Sequence, residues 1–494
     1  MLKMVDGTGI IGVDMVCPLG ATVSPPQPPN YDNVEMEGIG SLMLPNSLKA
    51  PLERLELSGN SVQGENPAPE APQEIKSAGR KSKNLFDINY FKNKNNLQTI
   101  RCEGFSLLGI TCNVKPNTEY TLSANVAEKK YNLNIANKTN RISLASSPTR
   151  TLMSNDDGTL YIGIFGVTAD KVNMDDFMKQ YKNIQLEEGN VATAYEPYGH
   201  LIDLKVTGKN MLNLQKEPDV KGLYQGWKVG DGEKTIVLSI KDKNNNADIR
   251  DYSLGATRNG VNSNDGLEWV VQNGVIKRSE IKTINPYVSI YPPNETSVQK
   301  FLERFDIQVE YGETATSYEP YTEQTVQIAL NEPLRGADKY KDVLTKDGVV
   351  RKIKSRTFDG SENWRKRTNN TVNTNHFVLD LEDINKKLST GGYFCDKLSM
   401  ININADEMGH RFYSGSLYVM MPKEQCPDLE AFKTWLSQNL ITAEYIIAEP
   451  VTEPLSESVQ QQLQALHSEN GTTHIFVDSG EVEAGIKLTY RKEK

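Results

Sequence analysis

The sequence predicts a mainly β protein: tandem antiparallel β-sandwich modules of jelly-roll type, followed by a smaller α+β C-terminal region. Residues 184–198 recur 123 positions later (307 minus 184), at residues 307–321, with ten of fifteen positions identical and no gap. Such a long period is typical of a duplicated domain rather than of a solenoid repeat. Short runs of alternating apolar and polar residues, separated by turn residues, favour antiparallel strands, and helical periodicity is rare.

We expect the first module to span residues 81–200. It opens with KNLFD, at residues 83–87, and closes with the repeated motif. Residues 118–126 alternate in hydrophobicity as a half-buried strand does, and Asp156-Asp157-Gly158 supplies a turn before the next strand. A module that keeps its first and last segments while its middle diverges is typical of a sandwich whose terminal strands pair.

The second module is expected to span residues 201–321 as a repeat of the first. It opens with the related KNMLN, at residues 209–213, and closes with the second copy of the motif. Its clearest strand patterns are TIVLSIKDK and PYVSIYPP. The two modules are therefore predicted to share one fold.

The remaining segments have different patterns. Residues 1–50 are rich in Pro and Gly, which predicts an extended N-terminal arm, and residues 51–80 predict a short β segment and a Pro-rich linker. Residues 322–454 predict a β-rich third module with one helix, which Asp428 caps and in which Leu429, Phe432, Trp435 and Leu436 fall on one face. Residues 455–494 predict a helix followed by C-terminal strands.

Composition excludes several classes of function. The net charge of −9 and the sequence pI near 5.4 argue against nucleic-acid binding and against adsorption to anionic membranes. No run of about 18 apolar residues predicts membrane insertion. The first sixteen residues lack a signal-peptide core, because Asp6, Gly7, Gly9, Gly12 and Asp14 interrupt their apolar stretch, so we expect synthesis in a cytoplasm.

No motif in the chain predicts catalysis, a metal centre or a cofactor. The five histidines form no H-x-x-x-H pair, and the nucleophile-elbow, phosphate-loop and dinucleotide motifs are absent. The chain is therefore predicted not to be an enzyme. Cys102 and Cys112 are expected to be small buried hydrophobes, with a disulfide across a hairpin as the alternative.

The acidic residues of the repeated motif have one ordinary explanation and two alternatives. Glu187 and Glu310 alternate along a predicted strand, which favours a solvated face. A structural calcium ion, not assigned to residues, and a glycosidase pair are the alternatives. The motif ends in YEPY in both copies, where packing at the module exit is preferred over stacking on sugars.

Aromatic residues beside turns in module 2 are the candidate binding residues. Tyr224 and Trp227 lie in LYQGWKVGDG, and Trp269 lies in GLEWV. Exposed rings near polar side chains bind sugars in many sandwiches, because the C–H faces of pyranoses pack on them. We therefore predict a glycan site at Tyr224, Trp227 and Trp269, with packing in the core as the alternative.

Seven blocks of the sequence carry a resemblance to a known class of protein: residues 55–79, 82–87, 183–198, 330–344, 358–364, 444–456 and 471–480. As a set, and in this order, they resemble tail proteins of bacteriophages and prophages of Gram-positive bacteria. The resemblance implies a minor tail, baseplate or fibre component of the virion, assembled in the host cytoplasm. Residues 1–50 lie outside the matching blocks, and the expectation that they anchor the protein to a tail rests on their composition, which predicts an extended arm. It also implies carbohydrate-binding jelly rolls, attachment to host glycan, contacts with other tail proteins and self-association, often as a trimer. A purely structural tail protein and a glycan-degrading tail enzyme are the rival hypotheses.

Overall fold

The chain is mainly β, with several antiparallel sheets and few helices, as the sequence predicted. A computed structural model provides the coordinates. It describes residues 31–127, 130–219, 225–229, 233–243, 253–257, 275–284, 287–291, 303–312, 315–368, 371–387 and 394–494.

Residues 31–81 form six strands. The prediction of an extended arm over residues 1–50 is therefore wrong for residues 31–50, which belong to a sheet. Residues 31–39 run antiparallel to residues 485–493, with Tyr31 opposite Glu493. Pairing between distant parts of the chain leaves no local signal, which is why composition suggested an arm and a linker. The strands are β1 (Tyr31–Ile39), β2 (Ser41–Ser47), β3 (Glu53–Ser58), β4 (Ser61–Gln63), β5 (Ile75–Ser77) and β6 (Arg80–Lys81).

Module 1 is a β-sandwich. Its elements are α1 (Ile88–Lys92), β7 (Gln98–Cys102), β8 (Phe105–Asn113), β9 (Glu119–Val126), β10 (Leu133–Ala136), β11 (Arg141–Ser143), β12 (Thr149–Met153), β13 (Thr159–Phe165), α2 (Met174–Gln180) and β14 (Tyr181–Glu188). One sheet has the order β11-β10-β13-β8-β7 and the other β12-β9-β14. Phe91 of α1 and Phe177 of α2 stack with centroids 5.5 Å apart and close the core between the sheets.

Module 2 repeats this topology. The chain first forms β15 (His200–Thr207), and the module then contains β16 (Gln225–Lys228), β17 (Glu233–Asp242), β18 (Ser253–Thr257), β19 (Val275–Ile284), β20 (Tyr287–Tyr291) and β21 (Phe305–Tyr311). The sheets β16-β20-β18 and β19-β17-β21 correspond to β8-β13-β10 and β12-β9-β14. The duplication seen in the sequence is therefore also present in the fold.

The third region joins a four-stranded sheet to a helix. Its elements are β22 (Glu323–Leu330), β23 (Gly336–Ala337), β24 (Tyr340–Lys341), β25 (Val343–Leu344), β26 (Gly348–Phe358), β27 (Arg365–Lys366), β28 (Thr374–Asp380), β29 (Phe394–Cys395), β30 (Gly409–Tyr413), β31 (Ser416–Pro422), α3 (Leu429–Gln438) and β32 (Ile441–Pro454). The Asp428 carboxylate caps α3 by accepting a hydrogen bond from the Ala431 amide, 2.9 Å away. Phe432, Trp435 and Leu436 are buried on one face of α3, as predicted.

The C-terminal residues form α4 (Glu457–Ala465), β33 (Gly471–Asp478) and β34 (Gly485–Glu493). They are not a separate unit, because they complete a twelve-stranded sheet that runs β22-β15-β33-β2-β34-β3-β25-β26-β32-β29, with β1 on β34 and β6 on β15. Leu463 and Leu466, at the end of α4, pack on one face of this sheet. Residues from both ends of the chain and from its middle therefore share one core.

The two modules are insertions into this large sheet. Module 1 begins after β6 and ends at β15, and these strands pair, with Leu201 opposite Arg80. Module 2 begins after β15 and ends at β22, which also pair, with Thr207 opposite Glu323. Domains whose two ends lie side by side are the ones that insert readily into another domain. Each module is therefore an insertion between two strands that are neighbours in the large sheet.

Candidate functional site

The repeated motif builds the same buried hydrogen-bond network in both modules. In module 1 the Asn84 amide nitrogen donates to the carbonyls of Ile184 and Glu196, at 3.1 and 3.0 Å. Its oxygen accepts from the amides of Phe86 and Leu186, at 2.9 and 3.1 Å. One side chain thus joins the first segment of the module to its last strand and its exit.

Asn210 makes the equivalent four bonds in module 2. Its nitrogen donates to the carbonyls of Ile307 and Glu319, at 3.1 and 3.0 Å. Its oxygen accepts from the amides of Leu212 and Val309, both at 3.1 Å. The segments that the two copies share are therefore those that join the beginning of each sandwich to its end.

The acidic residues of the motif belong to the same network, so the prediction of a solvated face is wrong. Glu187 and Glu310 are buried, as are the glutamines two residues before them. Glu187 accepts 2.9 and 2.6 Å bonds from the backbone and hydroxyl of Thr193, and Glu310 accepts 2.8 and 2.7 Å bonds from Thr316. Burial raises the pKa of Glu187, but the bonds from Thr193 and Gln185, together with the nearby charge of Lys83, lower the pKa overall.

Among the predicted glycan-binding residues, the structure describes only Trp227. Its side chain is 3% exposed within the core of module 2, and its indole nitrogen donates to the Lys216 carbonyl at 2.9 Å. A ring buried in this way offers no face to a sugar, so the alternative of core packing holds for Trp227. Tyr224 and Trp269 lie outside the described residues.

An open cleft lies between the large sheet and module 2. Its volume is about 1300 Å³. The floor is the face of β22, β15, β33 and β2 that points away from the main core, and module 2 supplies the wall. Because side chains alternate along a strand, the residues that line the floor come from every second position. One row across the four strands is Thr325, Lys205, Phe476 and Ser41, and the neighbouring row is Gln327, Asp203 and Asp478.

Three aromatic rings connect the wall to the floor of the cleft. Tyr311 of module 2 lies edge-on to His474 of β33, with centroids 5.1 Å apart and an interplanar angle of 88°. His474 is followed by Phe476, with centroids 6.2 Å apart and planes within 22° of parallel. Phe476 and Tyr311 are half-buried, so each keeps some of its ring open to the cleft.

A lysine lies over the floor ring. The Lys205 ammonium is 5.2 Å from the Phe476 centroid, within range of a cation–π interaction. The ion pairs of the described residues include none for Lys205, whose side chain is partly exposed. Lys205 lines the cleft, and its ammonium therefore keeps N–H donors that no carboxylate of the described residues occupies.

The carboxylates of the floor are already engaged in structural bonds. Asp203 accepts a 2.8 Å bond from the Gln327 amide and a 3.4 Å bond from Arg80. Asp478 accepts a 3.0 Å bond from the backbone of Gly480. Carboxylates fixed in this way keep spare lone pairs that can accept bonds from ligand hydroxyls.

A pair of bonds also holds the wall in place. Lys216 and Asp219 form a 2.9 Å ion pair, and the second oxygen of Asp219 accepts from the Lys228 amide at 2.7 Å. Burial raises the pKa of Asp219, but these hydrogen bonds lower it overall, so the carboxylate is charged at neutral pH. The cleft thus combines aromatic rings with fixed donors and acceptors.

Sequence reasoning missed this cleft because its parts come from five separate stretches of chain. Lys205, Phe476 and Tyr311 have no motif in common, and only the strand register brings them together. The apolar-polar alternation of IFVDSG in the C-terminal strand was visible. The sequence did not show which strands flank it.

The described residues contain no group of three or more His, Cys, Asp or Glu side chains placed to hold a metal ion. No disulfide joins Cys102 to Cys112, which are both free in the structure. Cys112 is buried, as expected, and burial raises the pKa of its thiol to about 12, whereas Cys102 is only partly buried.

Within the described part of the chain, no helix is long and apolar enough to cross a membrane. No known protein family and no curated protein sequence matches the chain.

Proposed function

We propose that this protein is an attachment component of a bacteriophage tail, baseplate or fibre, and that it binds host cell-surface glycan in the cleft between the large sheet and module 2. The observation that carries the glycan part is the ladder of Tyr311, His474 and Phe476 beside the Lys205 ammonium. Rings with fixed polar groups around them suit sugars, whose C–H faces pack while their hydroxyls form hydrogen bonds. The virion part rests on the resemblance of the sequence blocks to tail proteins.

The cleft supports binding better than hydrolysis. A glycosidase needs two carboxylates, one of them to protonate the leaving group. Asp203 and Asp478 are opposite each other on β15 and β33, but both accept hydrogen bonds that hold the local fold. We therefore assign them to ligand hydroxyls. Release of reducing ends from host wall polysaccharide by the purified chain would contradict this assignment.

The test compares the full chain with Phe476→Ala and Lys205→Gln variants for binding to cells and wall polysaccharide of candidate hosts. Loss of one half-buried ring or one ammonium should weaken binding about tenfold, which corresponds to about 1.4 kcal/mol. The matched control is Tyr413→Ala, which removes an exposed ring from the four-stranded sheet of the third region, a residue that does not line the cleft.

Binding that all three variants retain would reject the cleft. The absence of binding by the folded chain on every host tested would favour the rival hypothesis of a purely structural tail protein. Equal losses in the control and the cleft variants would indicate a general effect of surface aromatics, which also rejects the site.

A further inference from the structure

The five-stranded sheet of module 1 has a second face with an unusual composition. The core side carries a row of four isoleucines across β11, β10, β13 and β8, at positions 142, 135, 162 and 110. On the outer side, the adjacent row contains Gly163 opposite Gly109. A Cβ on Gly163 would lie 2.8 Å from the Leu108 carbonyl oxygen, so the strand pair has no room for one there. The middle of the outer face therefore lacks side chains.

The Arg141 side chain lies across the paired glycines of this outer face. Arg141 is in one row with Tyr161, whereas Phe165 is two rows away on the far side of Gly163. The guanidinium carbon is nevertheless 3.6 Å from the Phe165 centroid and 5.9 Å from that of Phe105. The Arg141 side chain thus extends past the glycines, and its guanidinium lies over the Phe165 ring, which is a favourable contact for a planar cation.

A hydrogen bond fixes the orientation of the guanidinium. Its Nη1 atom donates to the Asn134 side-chain oxygen at 2.9 Å. Asn134 is itself buried, and its amide nitrogen donates to the carbonyl of Asn132 at 2.5 Å. Ser143 donates to the side-chain oxygen of Asn132 and completes the set. A stacked and bonded arginine loses little further entropy when a ligand binds it.

Among the described residues, Arg141 has no carboxylate partner. The ion pairs within the described part of module 1 involve Lys115, Lys130, Lys138 and Lys179, and Arg141 takes part in none. The Arg141 side chain is partly exposed and held in place, and most of its N–H donors are available to bind an anion.

A second arginine increases the local positive charge. Arg150 of β12 donates from Nε to the Ser143 carbonyl at 2.9 Å and from Nη2 to the Ser146 hydroxyl at 2.6 Å. It also forms no ion pair with the described residues. Arg141 and Arg150, neither of them paired with a carboxylate in the part of the chain that the structure describes, make the surface around Ser143 cationic on a chain whose net charge is −9.

We propose that this outer face of module 1 binds a carboxylated sugar, with the carboxylate on the free edge of the Arg141 guanidinium. A carboxylate is planar and matches the arginine fork in a bidentate arrangement. The exposed Phe165 and the half-buried Phe105 and Tyr161 offer ring surface for the C–H face of the same residue. The site is separate from the cleft, and neither depends on the other.

The experiment measures binding of oligogalacturonate to the full chain by calorimetry at fixed salt. The same oligosaccharide with its carboxylates reduced to alcohols is the ligand control. Arg141→Gln should weaken binding at least tenfold, whereas Arg141→Lys keeps the charge but loses the fork and should fall in between. Arg365→Gln is the protein control, because Arg365 is exposed and already paired with Asp380 at 2.7 Å.

The outcomes separate the site from its rivals. Carboxylate-dependent binding that is lost in Arg141→Gln and kept in Arg365→Gln supports the proposal. Equal binding of the reduced oligosaccharide, or tighter binding of a glycerol phosphate polymer, would overturn the carboxylated-sugar assignment. Loss of uronate binding in Phe476→Ala would place the ligand in the cleft and overturn the separate site. If Phe476→Ala still binds the uronate and the wild-type chain binds no other glycan, the site in module 1 stands and only the cleft proposal is rejected.

Discussion

Asn84→Ala removes the side chain that closes module 1. Its amide makes four hydrogen bonds to the main chain, and it is buried. Alanine leaves two amides and two carbonyls without these partners in a site that water cannot fill freely. At about 1 kcal/mol net for each bond, the variant should lose about 4 kcal/mol of stability. That is a large part of the total for a domain of this size.

The effect should be confined to module 1. Module 2 has its own copy of the network around Asn210, and the large sheet has a separate core. Hydrogen exchange followed by mass spectrometry resolves the regions. Amides of β8, β9 and β13 should exchange about a thousandfold faster, since each 1.4 kcal/mol corresponds to a factor of ten. Peptides from β22 and β33 should keep their wild-type rates.

The control is Asn89→Ala, in the exposed part of α1. Its stability should change by less than about 0.5 kcal/mol. A loss below about 1 kcal/mol in Asn84→Ala would refute the reasoning that these bonds hold the sandwich closed. So would equal acceleration of exchange in the large sheet, because the module would then not unfold on its own.

Three further predictions follow from burial and backbone geometry. Burial raises the pKa of the Glu444 carboxyl to about 6, so its contribution to stability is full well below pH 4.5 and is lost as the pH rises through 6. Chemical denaturation should show wild type losing about 1.5 kcal/mol relative to Glu444→Gln between pH 4.5 and 6.5, and an unchanged difference would contradict this. Native alkylation should modify Cys102, which is partly exposed, before buried Cys112, as peptide mass spectrometry can show; equal rates would count against the packing described. Gly199→Ala should unfold at a lower denaturant concentration than Gly189→Ala. Both glycines have a positive φ, but only a Cβ at position 199 would meet another atom, the Leu330 carbonyl oxygen at 2.3 Å. Equal unfolding midpoints for the two variants would show that this crowding does not affect stability.

The local patterns of the chain were sufficient for some elements. The apolar stripe after Asp428 predicted α3, and Phe432 and Leu436 are buried on it. The alternation in residues 118–126 predicted β9. These signals are reliable because helix and strand periods depend only on near neighbours in the chain.

The candidate site residues were harder to predict. Trp227 lies among turn residues, which suggested exposure, but strands β17, β20 and β21 of module 2 bring apolar side chains against it. Glu187 lies at an alternating strand position, which suggested solvent, but the chain turns back beyond the end of the strand and Thr193 covers the carboxylate. In both cases the exposed or buried state depends on a segment that the local pattern does not contain.

The sequence by itself determined the β class, the duplication of the module and the positions of the repeated motif. Periodicity and self-similarity are properties of the chain, so no contact is needed to read them. Tertiary structure alone decided that β1 and β2 belong with β33 and β34, that both modules are insertions, and that Lys205, Phe476 and Tyr311 line one cleft. The physical reason is register: pairing between distant strands is fixed by the fit of the whole sheet and its core, and no single strand carries that information.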